Sequence, residues 1–209
     1  MTEKYDLIII SDDQDTILGH YFNSCSEDLI FFLSVENISQ ISIKENINHV
    51  YIFSSFQRIT NSVYVCYSHG NTEQLISNSS SYIDKDTVSS LKKTLFYTNA
   101  CSCGANLGVQ LVRDSKIDTF VGYNEEIDVV LEYKDYCIKC DNAALQQFLA
   151  HPNKTIKECV RISKQYYTQV IDKLLENNDP LAASCFVAAR EALVLLGDED
   201  LTYNSIRLK

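Results

Sequence analysis

The sequence predicts an α/β protein: a three-layer α/β/α sandwich with a mostly parallel sheet and a helical C-terminal third. Two patterns carry this. Short apolar runs such as Leu7–Ile10, Ser62–Tyr67 and Thr94–Asn99 alternate with amphipathic stretches, and strands joined by helices pair in parallel with both faces covered. From Asn142 onward the apolar residues recur instead at helical spacing.

Taken in order, Leu7–Ile10 reads as a compact buried strand, followed by the Asp-rich turn Ser11-Asp12-Asp13-Gln14-Asp15. Ile17, Leu18, Tyr21 and Phe22 then recur as on a helix face. Leu29 to Asn48 reads either way. His49–Phe53 and Ser62–Tyr67, rich in Val, Ile, Tyr and Phe, favour strands. The serine-rich Asn71–Ser81 suggests a surface loop, and Asp86–Leu91 one or two helical turns. Thr94–Asn99 is another short strand, Gly104–Asp114 a helix with Leu107 and Leu111 on one face, and Ile117–Val121 the last strand. Asn124–Asp141 is acidic and irregular, as in a hairpin or mobile loop. Ile156, Val160, Tyr167, Val170, Ile171 and Leu174 form an amphipathic stripe beyond Pro152, and a further helix from Pro180 runs towards Leu196-Gly197-Asp198. No repeat or linker divides residues 1–209, so a single domain is expected.

Composition narrows the function classes. A net charge of −10 argues against a phosphate-binding surface, and so against nucleic acid as partner. No run approaches the roughly 18 apolar residues of a membrane span, and the acidic Met1–Asp6 lead suits a strand start rather than a signal peptide. The eight cysteines, in a chain too large to need staples, point to free thiols in a reducing cytoplasm, some of them chemical.

Two strand ends carry that chemistry. Val63-Tyr64-Val65-Cys66-Tyr67-Ser68-His69-Gly70 places a His-Gly pair after one strand, and Leu95-Phe96-Tyr97-Thr98-Asn99-Ala100-Cys101 an Ala-Cys pair after the next. The carboxyl ends of parallel strands are where open α/β sheets bind ligands. A thiolate attacks carbonyl carbon, and an imidazole both stabilises it and protonates the leaving amine. Glycine after the histidine leaves backbone N–H accessible, so Gly70 and Cys101 can supply an oxyanion hole. Cys103 is the rival nucleophile; the position directly after the strand favours Cys101.

These residues resemble the caspase–gingipain superfamily of cysteine peptidases (clan CD), in particular its CHAT and gingipain-like branch. Asn99-Ala100-Cys101-Ser102-Cys103-Gly104 is similar to that branch's Ser-Ala-Cys-x-x-Gly block, Phe120-Val121-Gly122-Tyr123 to the strand that follows, and Leu196-Gly197-Asp198-Glu199-Asp200-Leu201 to its Gly-Asp-Pro-x-Leu segment. The caspase pentapeptide Gln-Ala-Cys-Arg-Gly is absent, Glu199 stands where the family has proline, and 32 residues separate His69 from Cys101 against ~50 in caspases. The resemblance implies a caspase-like fold, a Cys101–His69 dyad, no cofactor, a protein or peptide substrate and a restraining partner protein, in a defence or death-signalling setting. It also implies a pocket for the residue before the cut (P1), lined by loops that here carry Asp12, Asn99, Glu125 and Asp128. Carboxylates there select Arg or Lys, with Asp128 or Glu125 as the main acid. Lys134 and Lys139 would then offer self-cleavage sites.

Two other classes compete. A silent caspase-like module would keep the fold and bind a partner without chemistry. A zinc-supported interaction domain would use Cys101, Cys103, Cys137 and Cys140, although C-x-C is tighter than the usual ligand spacing.

Overall fold

Strands β1 (Leu7–Ser11), β3 (Val63–Tyr67) and β8 (Thr119–Tyr123) are buried at every residue, as is β7 (Leu95–Thr98). Their unbroken apolar runs therefore belong at the centre of a sheet with both faces covered. The computed structural model describes residues 6–58, 63–87 and 95–207. In it the six-stranded sheet runs β2-β1-β3-β7-β8-β9, where β2 is Gln40–Ile43 and β9 is Leu193–Gly197. All pairings are parallel except the last, where β9 runs antiparallel to β8.

On one face, side chains such as Leu7, Val65, Tyr97 and Val121 pack against helices α1 (Gly19–Glu36), α4 (Lys134–Ala150), α5 (Ile156–Glu176) and α6 (Pro180–Ala192). On the other, Ile8, Tyr64, Phe96 and Phe120 meet helix α2 (His49–Arg58) through Ile52, helix α3 (Leu107–Arg113) through Leu107 and Leu111, and a small hairpin layer. That layer is the antiparallel sheet β4 (His69–Gly70), β5 (Gln74–Ser77) and β6 (Ser80–Asp84). A short C-terminal helix α7 (Tyr203–Arg207) ends the described chain. The three-layer α/β sandwich is as the sequence predicts.

Several elements differ from the sequence reading, each for a physical reason. His49–Phe53 begins a helix, not a strand: Asn48 caps it, its side chain accepting the Tyr51 N–H at 3.0 Å. Asn71–Ser81 is largely ordered as the hairpin β5–β6, joined at Asn78 and Ser79, which both take the left-handed conformation of a tight turn (φ 48° and 61°). Lys134–Asp141 is not loop but the start of α4, because Cys137, Ile138, Cys140, Asp141, Ala144 and Leu145 bury one helical face while Asp135 and Lys139 stay outside. Lys134 and Lys139 thus sit in helix, where a protease would have to unwind the chain. Leu193–Gly197 leaves helix α6 to become the edge strand β9. Helix α5 starts at Ile156 rather than at Pro152, set by a capping box between Thr155 and Glu158. Of the expected turns at Asp86–Leu91, residues 88–91 lie outside the described residues.

Gly197 ends β9 with φ +93°, and a Cβ there would lie 2.1 Å from the Asp118 carbonyl oxygen. Replacing Gly197 with Ala should cost about 1–3 kcal/mol, read as a lower thermal midpoint by circular dichroism. An unchanged midpoint would mean that the β8–β9 corner tolerates a side chain.

Candidate active site

Strands β3 and β7 pair side by side, Tyr64 opposite Phe96 and Cys66 opposite Thr98. Both therefore deliver their following loops to one rim of the sheet. The junction is tied by Thr98 Oγ1 donating to the Cys66 carbonyl at 2.8 Å and by the Asn99 N–H donating to the same oxygen at 3.3 Å. His69-Gly70 follow one strand and Ala100-Cys101 the other. A Cβ on Gly70 would stand 2.8 Å from the Ala100 methyl, 2.6 Å from Cys103 Sγ and 3.2 Å from the Cys101 carbonyl oxygen. The backbone beside the histidine thus packs directly on the cysteine loop, and only glycine allows that approach.

His69 is held from two sides. Its Nε2 lies 3.3 Å from Asp15 Oδ2, and its ring stands edge-on to Phe22 with centroids 5.3 Å apart. Asp15 is fixed in turn, its other oxygen accepting the N–H groups of Ile17 and Leu18 at 2.9 and 2.6 Å. Burial pushes the Asp15 carboxyl up, but those amides and the facing imidazole outweigh it, leaving the group below the ordinary carboxylate range. Asp15 is therefore an anion beside His69.

Cys101 is half-buried, whereas Cys103 is enclosed and its thiol is pushed up to about 12 by burial and by Cys101. The Cys101 thiol donates to the Ile127 carbonyl at 3.8 Å. Burial raises its pKa, the Ile127 backbone offsets part of the rise, and the charges of Glu126, Asp141 and Asp128 add to it. Among the described residues the sulfur and the His69 imidazole make no hydrogen bond to each other, and no backbone carbonyl takes up the Cys101 N–H.

Next to Ile127, whose carbonyl accepts the Cys101 thiol, a narrow slot runs between the loop Ile127–Val129 and helices α1, α4, α5 and α6, lined by Tyr21, Asp128, Cys137, Asp141, Tyr167 and Phe186 among others. Its free volume, about 10 Å³, suits one water. Asp141 is the residue that sequence reasoning missed. It is buried on α4, and its carboxylate accepts from Tyr21 Oη (2.8 Å), Tyr123 Oη (2.6 Å) and Asn99 Nδ2 (3.0 Å). Burial raises its pKa against these donors.

The residues expected around P1 are thus dispersed. Asp128 lines the slot; Asn99 reaches it through Asp141; Glu125 is exposed, its carbonyl accepting the Ser102 N–H at 3.0 Å. Asp12 is buried away from the slot, close enough to Asp15 and His69 to feel their charges, and burial raises its carboxyl. The thiols invoked for zinc do not converge: Cys103 Sγ faces the Gln74 carbonyl and Cys137 Sγ that of Val130. No group of three or more potential ligands is found among the described residues.

Solved structures share this architecture. The chain superposes on the Arg-specific cysteine proteinase gingipain R (RGPB) with a TM-score of 0.59 at 12% identity, over 95% of this chain and 47% of that one. The fold is caspase-like. Caspase-1 from Spodoptera frugiperda aligns with a TM-score of 0.50 at 14% identity over 78% of either chain. The chain thus spans about half the length of the gingipain it matches. Its sequence matches no family model and no curated protein. The caspase-like fold that the residue blocks implied is present, while nothing in these neighbours separates a CHAT branch from the rest. No helix among the described residues is long and apolar enough to cross a membrane.

With its thiol pKa raised, Cys101 should alkylate with iodoacetamide at a rate that still climbs above pH 9, measured by peptide mass spectrometry. A plateau below pH 7 would mean an ion pair that this geometry lacks.

Proposed function

We propose that the protein is a cysteine endopeptidase in which Cys101 attacks the peptide carbonyl and His69 carries the proton. The observation that supports it most is the packing of Gly70 on the Cys101 loop at the carboxyl edge of adjacent parallel strands, which sets imidazole and thiol segments on one rim. The thiol gives its proton to His69, and the resulting thiolate adds to the carbonyl carbon. The N–H groups of Gly70 and Cys101 receive the oxyanion, the Cys101 N–H being uncommitted among the described residues. Protonated His69 then delivers its proton to the amine, which leaves a thioester that water hydrolyses. Asp15, anionic and 3.3 Å from the ring, orients the imidazole.

The cut falls after Arg or Lys in this reading. Asp128 at the slot and Asp141 within it present carboxylates beside the nucleophile, together with Glu126. A cation entering there would pair with acids that now meet only neutral donors or solvent. The slot must widen to take such a side chain, since its present volume holds about one water.

The reading as a silent partner-binding module draws on the absence of a direct sulfur–imidazole bond, and one assay separates the two. Fluorogenic peptides ending in Arg or Lys should be cleaved, and those ending in Asp or Leu spared. Cys101→Ala should abolish turnover, His69→Ala lower kcat/KM by about 10²- to 10⁴-fold, and Asp15→Asn cause a smaller loss. Asp128→Ala should reduce kcat/KM on the Arg substrate by about 10-fold without slowing alkylation of Cys101. Turnover that survives Cys101→Ala would end the proposal.

A further inference from the structure

Residues 125–130 run past the nucleophile without regular structure, anchored at both ends. Asn124 N–H donates to the Ala192 carbonyl at 2.9 Å on one side, and Tyr133 N–H to the Val130 carbonyl at 2.8 Å on the other. Among the described residues no backbone–backbone hydrogen bond involves Glu126, Ile127, Asp128 or Val129. Beyond the Ser102 N–H that donates to the Glu125 carbonyl at 3.0 Å, what holds this stretch is apolar packing and sulfur. Ile127 and Val129 are half-buried against the helical face of the core, and the carbonyls of Ile127 and Val130 each accept a thiol, from Cys101 and Cys137, at 3.8 Å. Such thiol bonds are weak. Outward, the same stretch shows Glu125, Glu126 and Asp128, all exposed. Ile127 and Val129 pin the stretch to the slot, while Glu125 and Glu126 face solvent and Asp128 is exposed at the slot's rim, so the acids can be pulled from outside.

We propose that residues 125–130 are an autoinhibitory strap, which keeps Cys101 bonded to the strap instead of to His69 until a basic peptide draws the acidic face outward. This rests on the reading of Cys101 as the peptidase nucleophile, and adds how that nucleophile is kept silent. The physical cost of release is small on each count: two sulfur contacts, the Ser102 N–H bond to the Glu125 carbonyl and three half-buried side chains, Ile127, Val129 and Val130. The gain is the pairing of three carboxylates with cationic side chains. Lifting Ile127 and Val129 also opens the slot in which Asp141 sits, so the ligand that releases the thiol is of the class the slot can accept.

Alkylation of Cys101 by iodoacetamide at pH 7.5 reads this without any substrate. An Ile127→Gly/Val129→Gly variant should alkylate at least 10-fold faster than the wild type, and adding His69→Ala should remove that gain. Deca-lysine should accelerate alkylation of the wild type, and 0.5 M sodium chloride should cancel the effect. Val129→Ala, expected to give a smaller gain, serves if the double variant fails to fold by circular dichroism. An unchanged rate in the strap variants, a gain that persists without His69, or no response to deca-lysine would each overturn the proposal. Loss of all peptide turnover alongside the expected alkylation pattern would refute the peptidase reading and leave the strap standing.

Discussion

The parallel pairing of β3 with β7 is the contact on which the site depends. Two strands whose every side chain is buried cannot slip register without moving apolar groups to the wrong face. Fixing Cys66 opposite Thr98 therefore also fixes where the next residues emerge. Gly70 then lies on the Cys101 loop with no room for a side chain. The chemistry-bearing residues come from opposite ends of a crossover, yet they arrive together because hydrophobic burial sets the frame that they share.

A second constraint works from below. Asp141 gathers hydroxyls and an amide from α1, β8 and the loop after β7, and its backbone carbonyl accepts Tyr97 Oη at 2.7 Å. Its neighbour Asn142 accepts Tyr67 Oη at 2.5 Å and donates to the Cys25 carbonyl at 2.9 Å. Burying a carboxylate among neutral donors is costly unless each lone pair is satisfied. The network that satisfies it braces Asn99, two residues before Cys101. Helix α4 and the cysteine loop are thus coupled through polar contacts in an otherwise apolar layer.

The sheet and the meeting of the His-Gly and Ala-Cys strand ends on one rim were legible in the sequence because continuous apolar runs and those residue pairs are local signals. The elements that escaped lack such signals. Leu193–Gly197 is as apolar as the alanine-rich helix before it, so periodicity does not mark where helix becomes edge strand. Helix α4 looked irregular because Lys134, Asp135 and Lys139 dominate its opening turns, while Cys137, Ile138 and Cys140 read as polar spacing rather than a buried face. Asp15 stood among three acids of one loop, and only the approach of His69 singles it out. Asp141 could not be found by spacing at all, since its partners Tyr21, Asn99, Tyr123 and Tyr167 are scattered over most of the chain.

The central claim is that one thiol and one imidazole on this rim act on a peptide carbonyl. The most direct measurement is a crystal structure of the protein after reaction with a peptidyl-arginine acyloxymethyl ketone. The account predicts a thioether on Cys101 Sγ, the ketone oxygen between the N–H groups of Gly70 and Cys101, His69 within about 3.5 Å of the reacting centre, and the guanidinium against Asp128 or Asp141. A label on another cysteine, or an imidazole left remote from the thioether, would contradict it.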